Sequence, residues 1–359
     1  MIVLHDYFHA PEGGGRLALI LAREFGADLA YGYKRRGHPF FEDPFSGQEH
    51  DLGVRIRLPL IKQYLLARAF MTRTAFIKDH DLAIYSGFYA PLAVHHRPDS
   101  KNICYCHTPP RFVYDQKEFY LSRLPVCLRP GLLAFIKWFQ PRYETAMKKM
   151  NLILTNSRNV SVRIHKYLGL EAEVVYPPCE VEKYKWLGQE DYFLSAARLD
   201  PLKRVDVIVE AFTMMPDKKL IVISDGPEMP KIKRLARGCS NIEILGQVSE
   251  ERYRELLGKC LASIYIPVEE DFGMTAVESL AAGKPVIAAA EGGLLEIIKD
   301  GNVGVLLDRV DVQSLIQVVE GVFAGRARRM REECKQAVNP YRTSQFVKNL
   351  SASCGFFHK

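Results

Sequence analysis

A chain of 359 residues exceeds what one ordinary hydrophobic core encloses, so two domains are expected. Hydrophobic content of 48% with 25% charge excludes a disordered chain, and no run reaches the roughly 18 apolar residues of a membrane-spanning helix. The net charge of +7 is uneven: residues 1–170 hold 24 Lys and Arg against 14 Asp and Glu, the remainder 25 against 28, so the first half is expected to meet something anionic.

The opening "MIVLHDYF" lacks a basic leader and a long apolar stretch; it reads as a buried strand over 1–8 in a cytoplasmic protein. Gly13-Gly14-Gly15 then separates that strand from a helix at about 16–25. The triplet is not G-x-G-x-x-G, and no acidic residue stands where a dinucleotide fingerprint needs one. A tight strand–helix turn accounts for it equally well. Further helices are expected at 62–78 and 132–150, and strands at 82–86, 101–106 and 152–156, with Ser157 capping another helix. The segments 64–78 and 117–149 mix aromatic, aliphatic and basic residues. Each suits a surface resting on anionic lipid or a packed helix with a solvated basic face.

Two prolines in "VVYPPCE" (174–180) stop regular structure and make a hinge. Beyond them, strands are expected at 192–198, 219–224, 242–245, 262–267, 285–290 and 303–307. Helices are expected at 204–213, 249–259, 274–282 and 311–323, and a last helix within 339–354. Strands alternating with helices predict parallel sheets covered on both faces, with ligands beyond the carboxyl ends of the strands. The eight cysteines form no CxxC pair and read as reduced and structural; Cys104 and Cys106 are expected to face opposite ways from one strand.

Three stretches carry chemistry. "EEDFGMTAVESLAAG" places Glu270 in a loop and Glu278 one turn inside the following helix, which Gly283 is suited to end. The helix start at Gly273, Met274 and Thr275 offers unpaired amides to a phosphate. The two carboxylates flank that site, which disfavours paired-acid hydrolysis, and no His or third carboxylate sits at metal-ligand spacing. Hydroxyl binding fits both acids; so does a plain acidic helix start. "SAARLDPLKRVD" sets Arg198 and Lys203 across an Asp-Pro turn, where two cations can clamp a diphosphate or simply face solvent. "ICYCHTPPRFVYD" leaves His107 just past a strand end, either structural or in a site.

In order along the chain, Arg198 with Lys203, "SDGPE" (224–228), the Glu270–Glu278 pair and "AAGKPVIAAAEGGLLEII" (281–298) resemble the retaining glycosyltransferases of family 4, which have the GT-B architecture. The wording "FGMTAVES" departs from the commoner "FGL…EAMA". The resemblance covers nearly the whole chain. It implies two doubly wound Rossmann-like domains facing across a cleft: 1–173 on the acceptor side, 174–339 on the donor side, and a C-terminal helix at about 340–359 crossing back.

By the same resemblance, Arg198, Lys203 and the amides of Gly273, Met274 and Thr275 hold the donor diphosphate without a bound metal or cofactor. Glu270 holds donor-sugar hydroxyls and Glu278 the ribose. Gly14, Gly15 and Arg16 approach the donor phosphate. "CHTPPR" is similar to the mannosyltransferases of O-antigen and related polysaccharides, which favours GDP-mannose and places His107 at the reaction centre, with Arg111 and Tyr114 on the acceptor side. The implied partners are a nucleotide sugar, a glycan or lipid-linked acceptor and, through the basic aromatic segments, an anionic membrane; nucleic acid is not expected. Competing readings are a UDP- or ADP-linked donor, a glycan phosphorylase or epimerase on the same fold, or a non-catalytic basic protein binding membrane or RNA.

Overall fold

The computed structural model describes residues 1–10, 12–41, 45–56, 58–299, 301–321 and 324–355. The chain divides into two units, Met1–Tyr176 with the residues from Leu350 onward, and Pro177–Asn349.

In the first unit the elements are β1 (Ile2–His5), α1 (Gly13–Glu24), β2 (Asp28–Tyr31), β3 (Glu49–Asp51), α2 (Ile61–Thr72), β4 (Leu82–Ser86), β5 (Lys101–Cys106), α3 (Lys117–Ser122), α4 (Arg129–Met147), β6 (Leu152–Thr155), α5 (Arg158–Leu168) and β7 (Glu173–Val174). The strands form one parallel sheet in the order β3-β2-β1-β4-β5-β6-β7. Strands β1 and β4 are buried at every position, as a sheet covered on both faces requires. Helix α5 starts because Ser157 accepts from the Val160 amide, and it stops at Gly169 in the left-handed region. Helix α4 turns Leu132, Phe135, Ile136, Phe139 and Tyr143 inward along one stripe, while Leu133 remains 42% exposed.

The second unit contains β8 (Phe193–Ser195), α6 (Val205–Thr213), β9 (Leu220–Ile223), α7 (Met229–Leu235), β10 (Ile242–Gly246), α8 (Glu250–Lys259), β11 (Ala262–Tyr265), α9 (Met274–Ala281), β12 (Val286–Ala289), α10 (Leu294–Ile297), β13 (Gly304–Leu307), α11 (Val312–Gly321), α12 (Ala324–Arg329) and α13 (Arg331–Ala337). Its parallel sheet runs β10-β9-β8-β11-β12-β13. Helix α14 (Thr343–Cys354) starts in this unit and ends in the first, where Lys101 donates to the Cys354 carbonyl and Ser353 to Glu173.

Both sheets have the doubly wound order in which the chain reverses direction beside the first strand. The switch points lie between β1 and β4 and between β8 and β11, which is where such sheets hold ligands.

Three local expectations are corrected. The glycine triplet is not a connection; Gly13 opens α1, so the helix begins three residues early. The expected 62–78 helix ends at Thr72, and a separate turn of 3₁₀ helix covers Ala75–Asp79. Cys104 and Cys106 do not face opposite ways: side chains two apart in a strand share a face, and both thiols lie in the same core cluster. Contact with Cys106 and burial push the Cys104 thiol up. Residues 322–323 and 356–359 of the expected helices lie outside the described residues.

Candidate functional site

In the second unit, residues from three strand ends converge at the β8/β11 switch point. After β8, Asp200 caps a short 3₁₀ turn by accepting from the Leu202 amide at 3.1 Å, and the turn ends on Lys203. The Val268 amide donates to the Leu202 carbonyl at 2.7 Å, joining this turn to the loop after β11. That loop is closed from the other side by Gly292 and Gly293. The Gly293 amide donates to the Glu270 carbonyl at 2.8 Å, and a Cβ on Gly292 would lie 2.2 Å from the same oxygen. Glycine is needed there because no side chain fits.

These loops bring Lys203 and Glu270 together, with Nζ to Oε2 at 2.6 Å. The Tyr265 hydroxyl, from the last residue of β11, donates to the same Glu270 oxygen at 2.9 Å and accepts from Lys203 Nζ at 3.1 Å. Burial opposes the Lys203 charge; the Tyr265 oxygen and the Glu270 carboxylate more than offset it, so the ammonium pKa is raised. Beside them, Arg204 is held to Glu291 at 2.7 Å, and Glu291 also accepts from the Glu269 amide at 3.0 Å. Arg198 lies three residues past the end of β8, with its side chain 60% exposed and 3.8 Å from Asp200.

Helix α9 begins directly after the Glu270 loop. Gly273 adopts φ 114°, and a Cβ there would meet Leu294 at 2.7 Å. The first amides of α9, at Met274 and Thr275, have no helical carbonyl to bond, which leaves donors at the positive end of the helix. One turn along, Glu278 accepts from the Tyr253 hydroxyl at 2.7 Å. Gly283 takes φ 71° after the helix end. The spacing Glu270–Glu278 therefore separates two carboxylates with different partners; they do not form a facing acid pair.

In the first unit, His107 follows β5, and its Nε2 is 2.9 Å from Ser86 Oγ at the end of β4. Ser86 Oγ is in turn 3.2 Å from His5 Nδ1 at the end of β1. Three neighbouring strands thus supply one polar chain. Gly14 lies against it: an added Cβ would sit 3.3 Å from His107 Nε2 and 3.5 Å from the His5 ring. Gly15 packs on Phe8, and Arg16 places its guanidinium 5.3 Å from the Phe40 ring centre. Burial lowers the His107 pKa to about 4, and burial with the neighbouring His107 lowers His5 to about 3, so both rings are neutral near pH 7. Asp6 accepts from the amides of Phe88, Tyr89 and Ala90; burial nonetheless pushes it up to about 6.

The remaining sequence candidates have local partners. Arg111 bonds Asp115 through two nitrogens at 2.7 and 2.9 Å, and Tyr114 donates to Glu144 at 3.1 Å while stacking on Tyr167. Sequence reasoning missed Tyr265, Ser86, His5 and the Arg204–Glu291 pair. The first three share one signal: a polar residue at the carboxyl end of a buried strand beside a switch point. Among the described residues, no group of three His, Cys, Asp or Glu is placed to hold a metal ion, and no helix is long and apolar enough to cross a membrane.

Residues 180–339 match the family model described as glycosyl transferases group 1. An uncharacterized glycosyltransferase of Methanocaldococcus jannaschii is 30% identical over 169 residues, covering 46% of this chain and 48% of that protein. The alpha-1,3/1,6-mannosyltransferase ALG2 of Dictyostelium discoideum is 26% identical over 252 residues, 58% of each chain. The chain thus spans about half the length of the curated relatives it matches. Among solved structures, Anabaena HepE in complex with UDP and glucose superposes with a TM-score of 0.75 at 14% identity, over 99% of both chains. The fold is of the GT-B class, with two Rossmann-like α/β units on parallel sheets.

Proposed function

We propose that the chain is a retaining glycosyltransferase that moves mannose from GDP-mannose to a glycan or lipid-linked acceptor in polysaccharide or glycolipid assembly. The observation that carries the reading is the Lys203–Glu270–Tyr265 cluster at the β8/β11 switch point, next to the open end of α9. In this reading Lys203, Arg198 and the amides of Gly273, Met274 and Thr275 hold the diphosphate. Glu270 receives donor-sugar hydroxyls, and Glu278 receives the ribose. Tyr265 orients both members of the ion pair.

Transfer with retention breaks the bond between the anomeric carbon and the β-phosphate oxygen and forms one to the acceptor oxygen on the same face. The acceptor proton passes to the departing phosphate oxygen. Stabilising that leaving group is the main task, and a fixed cation beside helix amides performs it without reorganisation. A neutral His107 with a pKa near 4 is too weak a base to take the proton outright; it orients the acceptor hydroxyl or the sugar. In the same reading Gly14, Gly15 and Arg16 are assigned to the donor phosphate, and Arg111 and Tyr114 to the acceptor.

Mannose rests on the "CHTPPR" stretch and on the matched mannosyltransferase; a UDP- or ADP-linked donor is the runner-up. The protein is placed in the cytoplasm, in peripheral contact with anionic membrane through residues 117–149. Isothermal titration with GDP, UDP, ADP and their sugars tests the donor. Tightest binding of GDP-mannose is expected, and failure of every nucleotide to bind overturns the reading.

A further inference from the structure

The first unit carries a second polar feature that the donor chemistry leaves unused. An open cavity of about 1290 Å³ lies beyond the carboxyl ends of β1, β2 and β3, and Lys34, Arg35, Arg36, Arg55, Lys62 and Asp51 line it. Of these five cations two are paired with carboxylates, Lys34 with Glu49 and Arg55 with Asp51, which leaves Arg35, Arg36 and Lys62 as the net charge. Glu42 and Asp43, which follow in sequence, lie outside the described residues.

The cations are held in different ways. Lys34 pairs with Glu49 at 2.5 Å and sits 3.9 Å from the Phe41 ring centre; Arg55 pairs with Asp51 at 2.6 Å. Lys62 donates to the Tyr33 hydroxyl and lies 4.2 Å from that ring's centre, and burial lowers its pKa. The guanidinium groups of Arg35 and Arg36 are exposed and make no ion pair among the described residues.

The backbone beneath them is fixed. The Phe8 amide donates to the Tyr33 carbonyl at 2.9 Å, and the Arg35 amide donates to the Phe8 carbonyl at 2.8 Å. His38 forms the floor at 4% exposure, with no partner for Nε2 among the described residues. The Phe8 ring lies 4.9 Å from His5 and 5.8 Å from His38, so one aromatic layer joins this basin to the Ser86–His107 chain.

We propose that this basin seats a phosphate-bearing group of the acceptor, an inference that rests on the glycosyl-transfer reading above. Arg35 and Arg36, which make no ion pair among the described residues, provide planar forks matched to phosphate oxygens, and Lys62 adds a third charge; Lys34 and Arg55 are neutralised by Glu49 and Asp51 and contribute no net charge. The stapled backbone removes the backbone part of the ordering cost, and each arginine side chain still gives up rotamer freedom when it binds an oxyanion. The phosphate could belong to a soluble sugar phosphate or to a lipid-linked one; the chemistry recognised is the same.

The test titrates the full chain with glucose 6-phosphate and, separately, with phosphatidylcholine vesicles made with and without phosphatidic acid. The variants are Arg35→Gln with Arg36→Gln, and Lys62→Gln. Binding of the sugar phosphate that weakens about tenfold or more in the double variant supports a soluble source. Binding only of phosphatidic acid vesicles, with the same loss, supports a lipid source. Absence of binding to either probe, variants that bind like the parent, or tighter salt-dependent binding of a short single-stranded RNA overturns the proposal. GDP and UDP titrations on the same proteins separate it from the donor reading. Absence of nucleotide binding by the parent sinks the donor assignment while leaving the basin measurement intact.

Discussion

Lys203 and Glu270 come from turns after different strands, 67 positions apart, yet meet at 2.6 Å as a mostly buried pair. Neither is a free hand waiting for a ligand; each positions the other. Removing the lysine therefore does two things. It deletes a cation from the proposed diphosphate site and leaves a partly buried carboxylate held by Tyr265. Lys203→Ala should weaken nucleoside diphosphate binding by about tenfold or more and lower stability by about 1–3 kcal/mol. Glu270→Gln, which keeps the shape, should cost less stability and still abolish turnover. Urea unfolding beside nucleotide titration reads both. Unchanged nucleotide affinity in Lys203→Ala would count against the donor assignment.

Tyr265→Phe tests positioning without removing charge. The hydroxyl touches Lys203 and Glu270 but adds no group that a sugar phosphate requires. Loss of two modest hydrogen bonds should cost about 1–2 kcal/mol of stability. If Tyr265 only orients the pair, kcat falls with KM nearly unchanged, whereas direct donor contact would raise KM. Steady-state kinetics with the donor identified by titration distinguish these.

The second unit was far more legible in the sequence than the first. Its strands are apolar runs separated by amphipathic helices, and all six stood out. In the first unit, β3 is the three-residue polar stretch Glu49–Asp51 on a sheet edge, exposed at alternate positions, and no hydrophobic period marks it. Strand β2 was lost because its four residues follow α1 after a three-residue turn. The site divides the same way. Lys203 and Glu270 belong to a fixed pattern of loops, so their order pointed to them. Tyr265, Ser86 and His5 were hidden because each ends a buried strand and reads locally as core; only strand neighbours across the switch point give them a role. No sequence motif singles out Arg35 and Arg36; the backbone hydrogen bonds linking Phe8 to Tyr33 and Arg35 set them around one cavity.

Gly292 packs against the Glu270 loop, and Gly273 ends that loop where α9 begins. Gly292 has φ 60° and its added Cβ would meet the Glu270 carbonyl at 2.2 Å; Gly273 has φ 114° with Leu294 at 2.7 Å. Gly273→Ala strains the backbone by about 1–3 kcal/mol and meets a side-chain tip that can shift. Gly292→Ala meets backbone, which cannot. The second substitution should displace Glu270 and remove nucleotide-sugar turnover, while the first should reduce stability with part of the turnover kept. Thermal unfolding paired with turnover assays ranks the two, and equal loss of activity would show that the α9 start matters as much as the loop.

His107 supplies a pH prediction whose sign follows from its environment. Its pKa is lowered to about 4, so between about 6.5 and 4 the unfolded chain binds a proton that the folded chain refuses. The stabilising effect of the neutral ring is complete above the ordinary value and is lost as pH falls through that window. His5, lowered to about 3, acts in the same sense. Asp6, raised to about 6, acts oppositely, because its folded carboxyl takes up a proton before the unfolded one does. Comparing the parent with His107→Gln cancels the Asp6 contribution. The variant keeps a hydrogen-bonding group beside Ser86 but no longer titrates, so its urea midpoint should fall less between about pH 7 and pH 5 than the parent's. The difference should approach but not exceed about 1.4 kcal/mol per pH unit. The same neutral ring means that turnover should show no limb near pH 6.5 arising from His107. A limb there that disappears in His107→Gln would assign the ring a titrating, proton-accepting role and overturn the orienting one.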